Sequence, residues 1–503
     1  MHGQPATRRS SAAALRPRAA ARARAAVRAG RRALGLLAAA VLAVSCNAIV
    51  NVSDYRFDRP PGTGGGGPDG GTTGKCRWSK RAGDATDQIE AAVTADAAGD
   101  VLVTGYFNGT MDLGCGPIAS AGYTDMYVAK LGPAGDCLWS NRYGAAMDEG
   151  GSAIAVDAAG NVLVAGYFDG PLELGCGPMM AQDALLKWDL FVAKLGPDGS
   201  CQWSIQAGDD NNQDPWSIVA DAAGNVLVAG DFEGSMDLGC GTITSAGGLD
   251  AFVAKLDPNG NCLWSKGAGT AGIQQAFGVG VDSTGNVLVT GEFYTGIDFG
   301  CGALASAGAS DVYLAKLDPN GNCLWSKGAG SGGEQWGMGV VADGADNVLA
   351  VGHFAQAIDF GCGGLVAGGS GFDVYGAKLD PAGNCLWSKR GGGADNQYGF
   401  GVAADAAGNV VLEGNFVGSL DWGCGPMVGA GGSDFWVAKL DSAGNCLWSK
   451  AAGDASEQYG YSVGVDGAGN VAVAGDFQGT VELGCGALTS AGGADLFVAK
   501  LDP

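Results

Sequence analysis

One phrase returns along this chain at nearly fixed intervals, and it limits the possible folds more than any other feature. Cys-x-Trp-Ser occurs with its cysteine at positions 76, 137, 201, 262, 323, 385 and 446, at spacings of 61, 64, 61, 61, 62 and 61 residues. A second phrase, Gly-Cys-Gly, places its cysteine at 115, 176, 240, 301, 362, 424 and 485, always 39 residues after the first. A chain of 503 residues would otherwise suggest about three domains. Seven copies of one short unit argue instead for an array in which each unit buries its apolar face against the next. The extra residues of the second and fifth copies fall around 181–187 and 368–372, which marks an exposed loop.

Each copy offers four short strands. In the copy starting at Phe277 they are 277–282, 286–293, 311–318 and 322–327, joined pairwise by Asp-Ser-Thr-Gly-Asn and Asp-Pro-Asn-Gly-Asn. Gly and Asn tolerate the positive φ of tight turns, so both links read as hairpins. Four-stranded antiparallel units without amphipathic helices between them are propeller blades. The array opens on a fourth strand, 76–80, and stops at Asp502-Pro503, where a fourth strand is due. The expectation is an all-β, seven-bladed β-propeller closed by the amino-terminal strand completing the last blade, which leaves no sheet edge unpaired. The innermost strands alternate small with large residues, as in Gly337-Met338-Gly339 and Gly399-Phe400-Gly401. That pattern predicts glycines on the channel and Met, Phe and Tyr between blades.

Glycine is abundant at 92 residues, yet 47% of the chain is hydrophobic, a composition for a turn-rich packed fold rather than a disordered one. The formal charge is −23. Residues 1–46 hold nine Arg and no acid, so without them 20 basic face 52 acidic residues, a net −32. Such a surface repels nucleic acid and anionic lipid, and leaves cations, neutral glycans and basic proteins as partners for a monomer.

The Arg- and Ala-rich start leads into an apolar run over 34–44, too short to span a bilayer, which reads as a signal peptide over 1–45. Ala43-Val44-Ser45-Cys46 resembles a bacterial lipobox, with Cys46 acylated as the new amino terminus. The alternative is an ordinary signal peptide followed by an unmodified cysteine, and Arg31-Arg32 leaves a twin-arginine route open. Residues 46–75, with Pro60-Pro61 and four consecutive glycines, form a flexible tether between this membrane anchor and the propeller at 76–503. The expected place is the bacterial outer membrane or cell surface, with the domain periplasmic or extracellular.

Asp-Ala-Ala-Gly-Asn-Val-Leu-Val-Ala-Gly at 157–166 and 221–230, followed by Asp-x-Phe/Tyr-x-Ala-Lys-Leu, resembles the bacterial β-propeller repeat known as SBBP. The resemblance covers 76–503 and implies an exported seven-bladed propeller with no defined catalytic residues. Two cysteines per repeat depart from that family's usual pattern.

Fourteen repeat cysteines remain once Cys46 is set aside, an even number suited to disulfides in an exported protein. Two connectivities fit the repeat. One lies within a written copy, as Cys76 with Cys115. The other, favoured here, lies within a blade: Cys115–Cys137, Cys176–Cys201, Cys240–Cys262, Cys301–Cys323, Cys362–Cys385, Cys424–Cys446 and Cys485–Cys76. The last would close the ring, a constraint of roughly 4 to 5 kcal/mol by the loop-entropy argument. The cysteine spacings, with His353 alone beyond the leader, do not supply the paired ligands of a zinc site.

Four further rings recur. Gln88, Gln213, Gln274, Gln335, Gln397 and Gln458, with Glu149 in the remaining copy, each follow a glycine by five residues. They are candidates for a polar ring at the channel mouth or for caps on the inner strands. The tryptophans at 78, 139, 203, 264, 325, 387 and 448 are expected to pack between blades. The Lys of each Ala-Lys-Leu and the Asp five residues before it read as solvated faces and local pairs. The Asp-x-x-Gly-Asn turns are candidate calcium loops, though each offers few oxygen ligands and Asp and Asn shape turns without metal. No cofactor is otherwise expected. No unique nucleophile, base or acid cluster stands out from the repeats. The expected function is a noncatalytic cell-surface lipoprotein that binds an unknown protein, glycan or cation, or serves as a scaffold. The alternatives are a propeller hydrolase or lyase using Asp or Glu around the channel, and a purely structural envelope protein.

Overall fold

The computed structural model describes residues 74–182 and 187–503; the leader, Cys46 and most of the tether lie outside them. Seven four-stranded antiparallel sheets account for the long strands among the described residues. In blade 1 these are Gln88–Ala95 (inner), Val101–Phe107, Asp125–Leu131 and Cys137–Tyr143 (outer). The inner strand of the copy discussed above begins at Gln274, three residues earlier than its sequence pattern suggests.

The two central strands of the blades are the most buried. Asp125–Leu131 and its six equivalents are buried at every position, including Asp and Lys. Both faces are covered because the core lies between blades. One apolar cluster joins Val101, Val103, Tyr127 and Leu131 of blade 1 to Ala472, Ala474, Leu496 and Val498 of blade 7. Burying each such large side chain stabilises the fold by about 1.5 to 3 kcal/mol, so the ring is held by its interfaces.

The ring closes as the order of strands requires. Cys76–Ala82 pairs antiparallel with Asp495–Leu501, Trp78 facing Lys500, to complete blade 7. Asp502 N–H donates to Lys75 O at 2.7 Å, and Lys500 Nζ donates to Gly99 O of blade 1 at 2.5 Å. The inner strands of blades 7 and 1 pack side by side, with Ser462 Oγ donating to Val93 O at 3.1 Å.

A small hairpin in each blade has no counterpart in the four-strand reading. Thr110–Met111 pairs with Ile118–Ala119, and the tip between them carries the Gly-Cys-Gly phrase. Carboxylate caps shape these tips: Asp112 Oδ1 accepts the N–H groups of Gly114 and Gly116. Each tip is bonded to the first residue of its blade's outer strand, as Cys115–Cys137 and, in blade 7, Cys485–Cys76, and all seven disulfides among the described residues lie within a blade. The hairpin shields the exposed edge of the outer strand, where unpaired backbone invites aggregation. Seven disulfides belong to an oxidising, exported compartment. Among the described residues no helix is long and apolar enough to cross a membrane.

Candidate functional site

The channel along the axis contains a cavity of about 450 Å³ lined by all seven inner strands. The alternation expected from sequence holds only in part: Gly278, Gly339 and Gly401 line the cavity as expected, but the large residues expected between blades line it too. Met338, Phe400 and Tyr461 line the cavity, while a Cβ added at Gly337 or Gly399 would run into the preceding blade, at Thr290 or at Val351 and Val374. A β-bulge is the cause. Every inner strand slips register at this point, between Gly337 and Gly339 in blade 5 and between Gly399 and Gly401 in blade 6, so the extra residue is turned onto the channel. The bulge residues around the ring are Ser152, Trp216, Phe277, Met338, Phe400 and Tyr461, with Glu90 and Ala91 sharing the wider bulge of blade 1.

These residues form a collar at one end of the cavity, and the collar is unlike itself from blade to blade. Its aromatic rings touch in two pairs, one on either side of Met338. Trp216 lies 5.8 Å from Phe277, Phe277 stacks on Trp336 at 6.1 Å, and Phe400 lies 6.3 Å from Tyr461, centroid to centroid. His353 is packed among Trp336, Phe372, Tyr398 and Phe400. Burial outweighs the nearby Gly399 backbone and pulls its pKa down to about 3, so it is a neutral ring.

Behind the collar a second variable layer runs Tyr106, Tyr167, Asp231, Glu292, His353, Asn415 and Asp476. The Trp216 indole N–H donates to Asp231, which also accepts Gln275 Nε2 at 2.9 Å. Burial pushes Glu292 and Glu413 up to about 8. Neither reaches the cavity, whose described lining holds no Asp, Glu, Lys, Arg or His. The insertions of blades 2 and 5 fall on this same end, where Trp188 meets Tyr167 at 5.3 Å and Phe372 meets His353 at 5.3 Å.

The glutamine ring does not open onto the channel. All six Gln and Glu149 are fully buried and absent from the cavity wall. Gln274 Oε1 accepts the Thr270 N–H at 3.0 Å, and Gln335 Nε2 donates to Ala355 O at 3.0 Å, so these side chains cap the loop before each inner strand. Glu149 takes the same place beside Asp125, Asp148 and Asp169, and burial with these neighbours raises its pKa to about 8.

The opposite end repeats faithfully. Each ring Lys is buried and paired with the Asp that opens the turn between the first two strands, as Lys194–Asp157 and Lys316–Asp282, both 2.8 Å. These rings are interior, not solvated. In the candidate calcium turns Asp157 Oδ1 accepts the N–H groups of Ala159 and Asn161, and Oδ2 meets Asn161 and Lys194. The lysine already supplies the cation. Among the described residues no group of three or more His, Cys, Asp or Glu is placed to hold a metal. The tryptophans lie across blade boundaries: Trp203 Nε1 donates to Pro258 O of the next blade at 3.0 Å, and its ring covers Gly260. Gly260 has φ +85°, and a Cβ there would come within 2.8 Å of the indole, so both backbone and contact require glycine.

No family model matches the chain. Its sequence is similar to an uncharacterized WD repeat-containing protein of Acanthamoeba polyphaga mimivirus, 22% identical over 505 residues, covering 80% of this chain and 36% of that protein. It is also similar to the regulatory protein FlaEY of Caulobacter vibrioides, 26% identical over 231 residues, covering 45% of this chain and 23% of that protein. The chain thus spans roughly a third and a quarter of the length of these curated relatives. Among solved structures it is similar to a saccharide-bound ulvan lyase, at TM-score 0.42 and 12% identity over 82% of this chain and 97% of that one. A gluconolactonase from Xanthomonas campestris has TM-score 0.34 and 12% identity over 70% and 85%.

Proposed function

We propose that this protein is a noncatalytic binding module of the bacterial envelope, exported, lipid-anchored through Cys46 and holding its ligand at the bulge collar. One observation carries the reading. Large side chains that differ from blade to blade gather at one end of the cavity, which is of a size suited to a small ligand, while the Asp–Lys pairs and tryptophans between blades at the opposite end repeat. A structural ring has no use for such asymmetry. The lipobox-like Ala43-Val44-Ser45-Cys46, the Gly- and Pro-rich tether and the SBBP-like repeat support display at the outer membrane or cell surface.

The test uses the full chain, expressed with its leader and its disulfides intact. Cys46→Ser is expected to move the protein from the membrane to the soluble fraction. Binding to arrayed glycans and envelope extracts should be saturable and fall at least tenfold in Trp216→Ala/Phe400→Ala. Absence of saturable binding, or equal loss from substitutions at the turn end, would favour the purely structural role.

A further inference from the structure

We infer that the collar is a site for an organic ammonium ion, seated against the arc from Trp216 to Tyr461 with Glu90 as its counter-charge. This rests on the binding reading above and names the ligand class. An aromatic face carries negative potential and attracts a cation within about 6 Å of its centre. Here Trp216, Phe277, Phe400 and Tyr461, with the polarizable Met338, occupy five successive blades of one rim. The ring edges are turned toward buried acids: the Trp216 indole N–H donates to Asp231, and the Tyr461 hydroxyl interacts with Asp476. Negative charge behind the edges makes the faces still more attractive to a cation.

Glu90 stands in the bulge of blade 1, next to blade 7 and just outside the residues that line the cavity. It is exposed and has φ +56°. Of the three non-glycine residues with positive φ among the described residues, it alone lies within a strand. Such a conformation is costly for a side chain of this kind and is typical of functional positions. The Tyr461 hydroxyl is raised well above its ordinary value by burial first, then by Asp476 and by Glu90, so the two side chains share one electrostatic neighbourhood. A bare metal ion would need a cage of oxygen ligands, which the cavity wall does not offer. An anion would be repelled by a net charge of −23. A cation carrying its own apolar shell satisfies both conditions.

Titration of the full, oxidised chain with choline, with its uncharged tert-butyl isostere and with neutral gluco-oligosaccharides, followed by calorimetry, tests this. Choline is expected to bind about tenfold or more tightly than the isostere. That preference should shrink as salt rises. Glu90→Gln should weaken choline about fivefold and leave the isostere unchanged; Phe400→Leu should weaken choline too, and unaltered circular dichroism checks both folds. Equal affinity for choline and isostere, an indifferent Glu90→Gln, or no response to choline overturns the inference. Oligosaccharide binding lost in Phe400→Leu without any preference for charge would sink the ammonium and leave the binding module standing. Silence in every arm would sink both.

Discussion

The two ends of each inner strand obey different rules. At the end leading into the Asp-x-x-Gly-Asn turn, seven blades present the same Asp, the same buried Lys at 2.8 to 3.1 Å and the same Trp lying on the next blade. At the bulge itself, adjacent blades never share a residue. A closed ring uses one interface seven times, so whatever seats one blade on the next must repeat. Residues that face only the axis are released from that demand. Variation there costs little stability, and the collar is where a ring built from copies can become specific.

This contrast fails if the repeated end is not what holds the ring. The largest effect is expected at its closure. Cys76–Cys485 spans 409 residues and the other six span 22 to 25. By loop entropy, replacing both members of the closing pair with Ser should cost about 6 kcal/mol, against about 3 kcal/mol for Cys301 and Cys323. Urea midpoints under oxidising conditions measure this, and equal losses would mean that strand pairing alone closes the ring. Next in size is Lys316→Met, which strands a buried Asp282 and should cost about 3 to 5 kcal/mol. A loss no greater than that of a collar substitution would erase the distinction between the ends.

Acidity separates the ends in opposite directions. Burial tends to raise the Asp282 carboxyl, but Lys316, Asn286 and Thr284 together bring it down to about 2. Its contribution is therefore complete above the ordinary carboxylate value of 3.8 and is lost as pH falls toward 2. Glu413 lies behind the cavity wall, and burial outweighs the Gly401 amide to hold it near 8. Its contribution is complete below 4.5 and is lost as pH rises through 8. Unfolding midpoints across pH should show Glu413→Gln flattening the alkaline loss only and Lys316→Met reducing the acid loss only. A single profile for both variants would contradict the assignment.

Much of this is legible in the amino-acid sequence itself. Spacing of the Cys-x-Trp-Ser phrases counts the blades, turn residues mark the hairpins, and the half-unit at each end implies the shared blade. The collar was not legible, because a bulge adds one residue to a strand without any local signature, and that residue is turned onto the axis. Gly337-Met338-Gly339 is a plain alternation on paper. Gln274 was equally ambiguous: a polar residue after a glycine suits a pore or a cap, and only the neighbouring Thr270 amide decides. The Lys316–Asp282 pair needed two strands brought together across 34 positions of sequence, and solvated charge was the simpler expectation.

The smallest change sharpens the comparison most. Met338 interrupts the arc between Phe277 and Phe400, and its side chain is only half-buried on the cavity wall. Met338→Phe would complete five aromatic rings in succession without touching the interfaces that hold blade 5. A residue released from packing should accept the larger ring, so the unfolding midpoint is expected to move by no more than about 0.5 kcal/mol. The same substitution inside a blade interface would overpack and cost about 1 to 3 kcal/mol. One more face for a cation should raise choline affinity about threefold, since an added cation–π contact at an exposed site contributes about 0.5 to 1 kcal/mol. Calorimetry and urea unfolding of this one variant read both quantities. A destabilised protein would mean that the collar packs as tightly as the opposite end, and then its diversity would need another explanation.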